Sequence, residues 1–315
     1  MIPAKKWWGL DISCDSVDIS FINFWTKDII ENIQGRGYGR VKVEGENRKV
    51  WVTGRALAKD AQITIPQIGV TFYMTDSIMM DSTAIIFPDI DVYDQYGNHG
   101  IFTGGVYHNY FQNISFDLRA QAEKLLVMDL PAEQQAFFYG KVFGTGDVHI
   151  YGDEKDCNID VNAKTDAKTN FYLNINSSSQ ASNSSFINFI QPDTTSHYLL
   201  NLLNPSKKPT AKTNQPESRL RLSLQGEVTP DANINIKLGA EDGIKGKGEG
   251  NLKLVYEYPS ESVQLQGTYT LQSGQFDFSL GNIVRRNFTI REGSKITWDN
   301  DPMAPTLDIS GYYHT

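Results

Sequence analysis

Apolar and polar residues alternate with period two along most of the chain, and this pattern predicts strands in place of helices. Leu220, Leu222 and Leu224 alternate with Arg221 and Ser223, and Ile234, Ile236 and Leu238 with Asn235 and Lys237. Further on, Val263, Leu265, Tyr269 and Leu271 alternate with Gln264, Gln266, Thr268, Thr270 and Gln272, and Phe276, Phe278 and Leu280 with Asp277 and Ser279. One face is apolar and the other polar, as in an antiparallel sheet covered on one side only. Turn chemistry punctuates the runs at Tyr96-Gly97-Asn98, Asp242-Gly243, Ser273-Gly274 and Glu292-Gly293. Helical spacing is confined to two short stretches. Phe21 to Asn32 has room for two or three turns with Phe21, Phe24, Trp25 and Ile29 on one side, and Pro131 to Phe138 begins with a residue suited to a first helical turn.

The alternation recurs at a coarser level. Gly37-x-Gly39-x-Val41-x-Val43, Gly144-x-Gly146-x-Val148-x-Ile150 and Gly248-x-Gly250-x-Leu252-x-Leu254 each open a unit. A second alternating run follows each (Val50 and Val52, Ile159 and Val161, Val263 and Leu265), then a third (Ile63 and Ile65, Phe171 and Leu173, Phe276 and Phe278). Three copies of a strand–turn–strand–turn–strand unit imply an elongated β array built by stacking. The paired glycines mark a bulge or a close backbone approach. No copy has the third glycine or the following helix that a dinucleotide-binding loop needs, and no Gly-Lys is followed by Ser or Thr. Two stretches break the pattern, 176–185 (NSSSQASNSS) and 204–217 (NPSKKPTAKTNQPE), and their composition is that of loops. These features divide the chain into N-terminal β repeats with a short helix (1–139), a middle repeat carrying both loops (140–218) and a C-terminal β domain (219–315).

Composition narrows the function. The 315 residues are 40% hydrophobic and carry a formal net charge of −8. That content supports a buried core and excludes a disordered tail. The acidic balance, with basic pairs scattered at Lys5-Lys6, Lys207-Lys208 and Arg285-Arg286, argues against a nucleic-acid partner. No run of 18 apolar residues occurs to span a membrane as a helix, and the stretch before Asp11 is too short for a signal-peptide core. Cys14 and Cys157 are far apart and form no C-x-x-C; two unpaired thiols or one long-range disulfide are both open. The histidines (His99, His108, His149, His197 and His314) have no metal-ligand spacing, and His149 falls on the outward side of its strand. Asp89-Ile-Asp91 and Asp299-Asn-Asp301 are turn formers before they are calcium or acid–base sites, and no G-x-S-x-G elbow exists. No catalytic set, metal site or cofactor is expected.

The last part of the chain carries a more specific pattern. A strand holding Gly267-Thr-Tyr269 leads to Gly274 with Phe276-x-Phe278, then Phe288-x-Ile290-x-x-Gly293-Ser294-x-Ile296-x-Trp298, then Asp301-Pro302 and Leu307-Asp308-Ile309. This resembles the C-terminal domain of the TamB-type translocation and assembly module proteins, within the AsmA-like bridge proteins of diderm bacteria, in their Bacteroidota branch. The segment from Phe138-Tyr139-Gly140 to Thr165 is similar to that branch as well. Asn300 stands where the family has a glycine before Asp-Pro; asparagine tolerates the left-handed conformation, so the turn is expected to survive. Gly311 and Tyr312 stand where the family often has alanine.

The resemblance implies an all-β fold, a long antiparallel sheet curled into a U (a β-taco) with an apolar inner groove. It implies a periplasmic location in the cell envelope, with an inner-membrane anchor upstream of Met1 and membrane contact there and at the C-terminal end. The implied partners are phospholipid acyl chains and an outer-membrane barrel of the TamA/BamA type. The implied task is to carry phospholipid to the outer membrane, or to act as a scaffold or chaperone in outer-membrane protein assembly. The physical pattern agrees, because a one-sided apolar sheet without covering helices must close as a sandwich, curl on itself or hold something. The residues expected to line a lipid groove are Val148, Ile150, Ile159, Val161, Leu252, Leu254, Val263, Leu265, Tyr269, Leu271, Phe276, Phe278, Phe288, Ile290, Ile296 and Trp298. The same residues would serve as the core of a closed sandwich. An adhesive or carbohydrate-binding β-protein using Trp7, Trp8 and Trp51 is a further class, though nothing in the sequence organises those aromatics. An outer-membrane barrel fits least, because the loops do not alternate short and long.

Overall fold

The fold was taken from a computed structural model, which describes residues 7–26, 29–47, 49–132, 138–175, 218–239, 241–280 and 284–313. Both loop-like stretches, 176–185 and 204–217, lie outside the described residues, as do 133–137 of the second expected helix. Phe138 at the end of that stretch already belongs to a strand.

Among the described residues, eighteen strands form one sheet. They are β1 (Trp7–Asp18), β2 (Glu31–Glu46), β3 (Lys49–Ile65), β4 (Val70–Met80), β5 (Ala84–Tyr93), β6 (His99–Asn109), β7 (Gln112–Leu130), β8 (Phe138–Asp153) and β9 (Asp156–Thr165). They continue with β10 (Asn170–Asn174), β11 (Arg219–Val228), β12 (Asn233–Lys237), β13 (Gly243–Tyr258), β14 (Ser262–Leu280), β15 (Val284–Ile290), β16 (Lys295–Asn300), β17 (Thr306–Asp308) and β18 (Gly311–Tyr312). From β1 to β8 the chain is an antiparallel meander. The long β8 then pairs along its length with β9 and with β10. Those two pair in parallel with β11 and β12, which both run antiparallel to β13. Strand β14 is likewise shared by β15 and β16. The segments 1–139, 140–218 and 219–315 therefore meet as neighbouring strands of one sheet, and their division into units is a proposal.

Two expectations are corrected. The first expected helix is only a 3-10 turn (Ile19–Ile22) followed by a single α turn (Asn23–Thr26), and β2 has begun by Glu31. Asp18 caps the start by accepting from Ser20 N at 2.8 Å. The Asn23 amide then clamps Ile33 of β2, accepting from its N–H at 2.8 Å and donating to its carbonyl at 2.9 Å. That bond commits the backbone to the sheet. The repeat also changes form. In its first and third copies the second and third alternating runs lie on a single long strand, β3 or β14. Ser273-Gly274 is accordingly not a turn but part of a bulge within β14, where Lys247 pairs with Ser273 and Gly248 with Leu271. The extra residue, Gln272, flips the parity, so Leu271 and Phe276 share a face. Only the middle copy has a true break, between β9 and β10.

Further interruptions flank this break. Register shifts fall at Asp15/Val17 in β1, Gln34/Arg36 in β2, Ala58/Ala61 in β3 and Phe87/Ile90 in β5, the last level with Leu118–Ala120 of β7. Another shift falls at Ala122/Leu125 in β7. The same level is crossed by the β9–β10 break, the β11–β12 break, the β14 bulge and the β15–β16 break. A bulge bends and twists its strand, and bulges in register across neighbours crease the whole sheet. Each crease leaves a backbone N–H without a ladder partner, and a side chain supplies one. Asp60 N donates to Thr75 Oγ1 at 2.8 Å, Lys124 N to Thr145 Oγ1 at 2.9 Å and Leu126 N to the Asp94 carboxylate at 2.8 Å. Phe143 N donates to Thr169 Oγ1 at 3.0 Å, Thr229 N to Thr165 Oγ1 at 2.9 Å and Ser310 N to Ser294 Oγ at 3.1 Å. Three of the buried polar side chains, Asp94, Thr169 and Ser294, are thus pins of the crease.

The main core is one cluster whose members come from both sides of the crease, including Leu173, Ile236, Ile244, Leu265, Tyr269, Leu271, Ile290, Ile296 and Trp298. Leu271 and Ile296 are fully buried although no helix or second sheet covers them among the described residues. A flat single layer would leave them in water, so the sheet itself curls over its apolar face. A smaller cluster under the short helical turns joins Ile19 to Ile33 and Ala61, and a third joins Val70, Leu126 and Phe143.

Candidate functional site: an apolar trough

The strand register converts the one-dimensional alternation into rows running across the sheet. In the first row Leu118 of β7 stands opposite Ile150, Ile150 opposite Ile159, Ile159 opposite Leu222, Leu222 opposite Tyr256 and Tyr256 opposite Val263. The next row runs Ala120, Val148, Val161, Leu224, Leu254 and Leu265. A third runs Ala122, Gly146, Ala163, Gly226, Leu252, Gly267 and Trp298. From β7 to β14 none of these rows contains a polar side chain other than the Tyr256 hydroxyl. The same pairings place Gln121, Asp147, Asn162, Gln225, Lys253, Gln266 and Asp299 in one row on the other face. A concavity is lined by Asp147, Asn162, Gln225, Lys253 and Gln266 of this row together with Gly146, Ala163, Gly226, Leu252 and Gly267 of the third apolar row.

Glycine serves this geometry where strands approach closely. A Cβ on Gly146 would run into the Asn162 carbonyl of β9, whereas one on Gly144 would meet only ordinary contacts. The second glycine of the middle motif is therefore a steric requirement.

Burial divides the expected groove residues. Val148, Ile150, Ile159, Val161, Leu252, Leu254 and Val263 are half-buried. Leu265, Tyr269, Leu271, Ile290, Ile296 and Trp298 are buried. Phe276 and Phe288 face each other across β14 and β15 with ring centroids 6.4 Å apart, both half-buried. Phe278 lies at the far end of β14 opposite Arg286 and is 37% exposed. The register brings Val148, Ile150, Ile159, Val161, Leu252, Leu254, Val263, Leu265 and Trp298 into the first three rows, while Phe276, Phe278, Phe288 and Ile290 sit beyond the crease. Leu118, Ala120, Leu222, Leu224 and Tyr256 belong to the same rows and were not in the expected set. The Leu222/Leu224 alternation was visible in the sequence; which strands would flank it was not.

The trough holds little that titrates. Burial pushes the Cys157 thiol and, further, the Tyr269 hydroxyl upward, so both stay protonated at neutral pH. Cys14 and Cys157 are free thiols. Tyr269 points its hydroxyl at the Gly246 carbonyl, 3.5 Å away, and Trp298 Nε1 donates to the Pro302 carbonyl at 3.3 Å. The histidines with carboxylate partners lie on the polar face: His149 sits 2.9 Å from Asp117 and stacks on Tyr151, and His99 sits 2.7 Å from Asp91. No cluster of metal-ligating side chains occurs among the described residues. Asn300 takes a positive φ of 78°, as its place before Asp301-Pro302 requires. None of the described helices is long and apolar enough to cross a membrane.

Comparison with known proteins fits this architecture. Neither the curated proteins nor the solved structures contain a match to the chain. The family model for the TamB C-terminal domain matches residues 89–315, from β5 through the crease and all three rows to the C-terminal edge. That family consists of structural and transport proteins of the cell envelope that work with an outer-membrane partner. With most of its length matched, the chain belongs to the TamB family of the translocation and assembly module.

Proposed function

We propose that this chain carries phospholipid acyl chains through the envelope along the apolar rows, without performing chemistry. The carrying observation is the pair of rows from Leu118 to Val263 and from Ala120 to Leu265, which cross β7, β8, β9, β11, β13 and β14 without a charged side chain. Five strand spacings of about 4.8 Å make this floor about 24 Å long. That exceeds the acyl depth of one leaflet, half of a hydrocarbon core about 30 Å thick. Exposing a methylene to water costs about 0.8 kcal/mol, so about sixteen of them would raise a barrier of about 13 kcal/mol. An unbroken apolar floor removes most of it while the headgroup stays wet. Transport of this kind needs no catalytic residue, metal or cofactor.

Leu224 and Gln225 are neighbours on β11 that face opposite sides, and they supply the test. In a vesicle-to-vesicle transfer assay with fluorescent phosphatidylethanolamine, Leu224→Glu is expected to abolish transfer while circular dichroism stays native. Gln225→Glu is expected to transfer like the wild type. If both variants transfer normally, the trough does not carry lipid.

A second reading has its own observation. Strands β17 and β18, short and exposed along their whole length, form the C-terminal edge of the sheet. Such an edge can accept a strand from an assembling barrel. Proline at Leu307 or Ile309 would then impair assembly of outer-membrane proteins more than Leu224→Glu does.

A further inference from the structure

The three rows change character toward the C-terminal strands. Over β7, β8, β9 and β11 the floor is built from small or branched side chains, with Ala120, Ala122, Gly146, Ala163 and Gly226 among them, and every member is only partly buried. Toward β13, β14 and β16 bulky buried side chains appear on this face. Tyr256 of the first row is 2% exposed and Trp298, which closes the third, 4%; beside the rows on β14 and β16, Tyr269 is 2% exposed and Leu271 and Ile296 0%, while Leu252, Leu254 and Val263 stay half-buried. The third row shows the change most directly: alanine and glycine alternate until Leu252, and the row stops on Trp298. The stop is also held in place. Trp298 is bonded to the Pro302 carbonyl, and Ser294, in the β15–β16 break just before β16, ties Arg291 and Ser310 together. A methylene chain can lie on the half-open floor, but the interior beyond β13 is already filled by protein atoms at core density.

We infer that Tyr269, Leu271, Ile296 and Trp298 form a fixed stop, so that an acyl chain travelling along the rows leaves sideways over β11 and does not run on to the C-terminal edge. This rests on the lipid-carrying function proposed above. It separates two tasks along one sheet: β7 to β11 hold the chain, and β14 to β18 are a solid block that presents an edge.

Trp298 is a built-in reporter, because a tryptophan touched by a brominated acyl chain loses fluorescence. One variant of the full chain keeps Trp298 and replaces Trp7, Trp8, Trp25 and Trp51 by Phe. A second carries the same changes plus Trp298→Phe and Leu222→Trp, moving the reporter onto the half-open floor. Each is mixed with vesicles of dibromo-acyl phosphatidylcholine after circular dichroism has shown native strand content. The stop predicts loss of emission from the reporter at position 222 and unchanged emission from Trp298. Equal quenching at both positions, or quenching at Trp298 alone, overturns the stop and leaves lipid carriage standing. Quenching at neither position overturns lipid carriage itself, and the stop with it.

Discussion

Thr169→Val tests whether the crease is held by its side-chain pins. Thr169 is fully buried, and its hydroxyl accepts from Phe143 N at 3.0 Å and donates to Phe143 O at 3.1 Å. Valine has the same shape, so no cavity forms and the effect isolates the hydroxyl. The Phe143 carbonyl keeps Asp166 N as a donor at 2.8 Å. Its N–H, in contrast, is left buried without an acceptor, and an orphaned buried donor costs about 1–3 kcal/mol. A value near 2 kcal/mol corresponds to about thirtyfold in the local opening equilibrium. Hydrogen exchange read by mass spectrometry on a peptide spanning 140–146 would show that loss of protection, with a lower urea midpoint alongside. The control is Thr268→Val, on the polar face, where Thr268 and Thr297 hydroxyls meet at 3.1 Å and are partly solvated. Surface changes of that kind stay within about 0.5 kcal/mol. If Thr169→Val exchanges like Thr268→Val, the pins do not hold the crease, and the bend must come from packing alone.

Further outcomes follow from the same geometry. Burial alone would raise the Asp94 carboxyl, but bonds from the Asn98 side chain and from the Leu126, Asn98 and Tyr96 N–H groups outweigh it and hold the group below the usual carboxylate range. Its stabilising contribution is therefore complete above the unfolded value of about 3.9 and is lost as pH falls through the lower folded value. Urea midpoints measured at neutral pH and below pH about 4 should fall further for the wild type than for Asp94→Asn; equal falls would remove Asp94 from the acid response. Gly146→Ala should destabilise by more than about 1 kcal/mol, since its Cβ meets the Asn162 carbonyl, while Gly144→Ala stays close to wild type in the same denaturation series. Leu265→Glu places a charge at an 8% exposed core position and should unfold the C-terminal strands by circular dichroism, unlike Leu224→Glu on the half-open floor. A folded Leu265→Glu protein would mean that the block around β14 is open to water.

Much of the trough was legible in the amino-acid sequence because a strand's side chains alternate whatever their neighbours are. Which residues share a face could be read from Val148/Ile150, Ile159/Val161 and Leu252/Leu254 directly, and the C-terminal pattern from Gly267 to Ile309 carried the family. Asn300 before Asp-Pro was likewise legible, since a turn conformation is a local property. Parity failed where a bulge intervened: Leu271 and Phe276 have opposite parity and one face, and only the pairing of Lys247 with Ser273 and Gly248 with Leu271 reveals it. The Phe21–Asn32 helix failed for a similar reason, because the Asn23 clamp on Ile33 is a contact with a later strand.

Side-chain alternation and local turn residues suffice for the two-faced character of each strand, the turn chemistry and the family. Only the tertiary contacts bring the strand interruptions from β7 to β16 into one line, make the rows continuous from β7 to β14, and leave the apolar side chains half-open at one end and sealed at the other. Those properties depend on register between strands distant in sequence, such as β9 against β11 and β10 against β12, and register is fixed by hydrogen bonding and packing across the sheet. A run of alternating residues specifies a face; only its neighbours decide whether that face becomes a floor or a core.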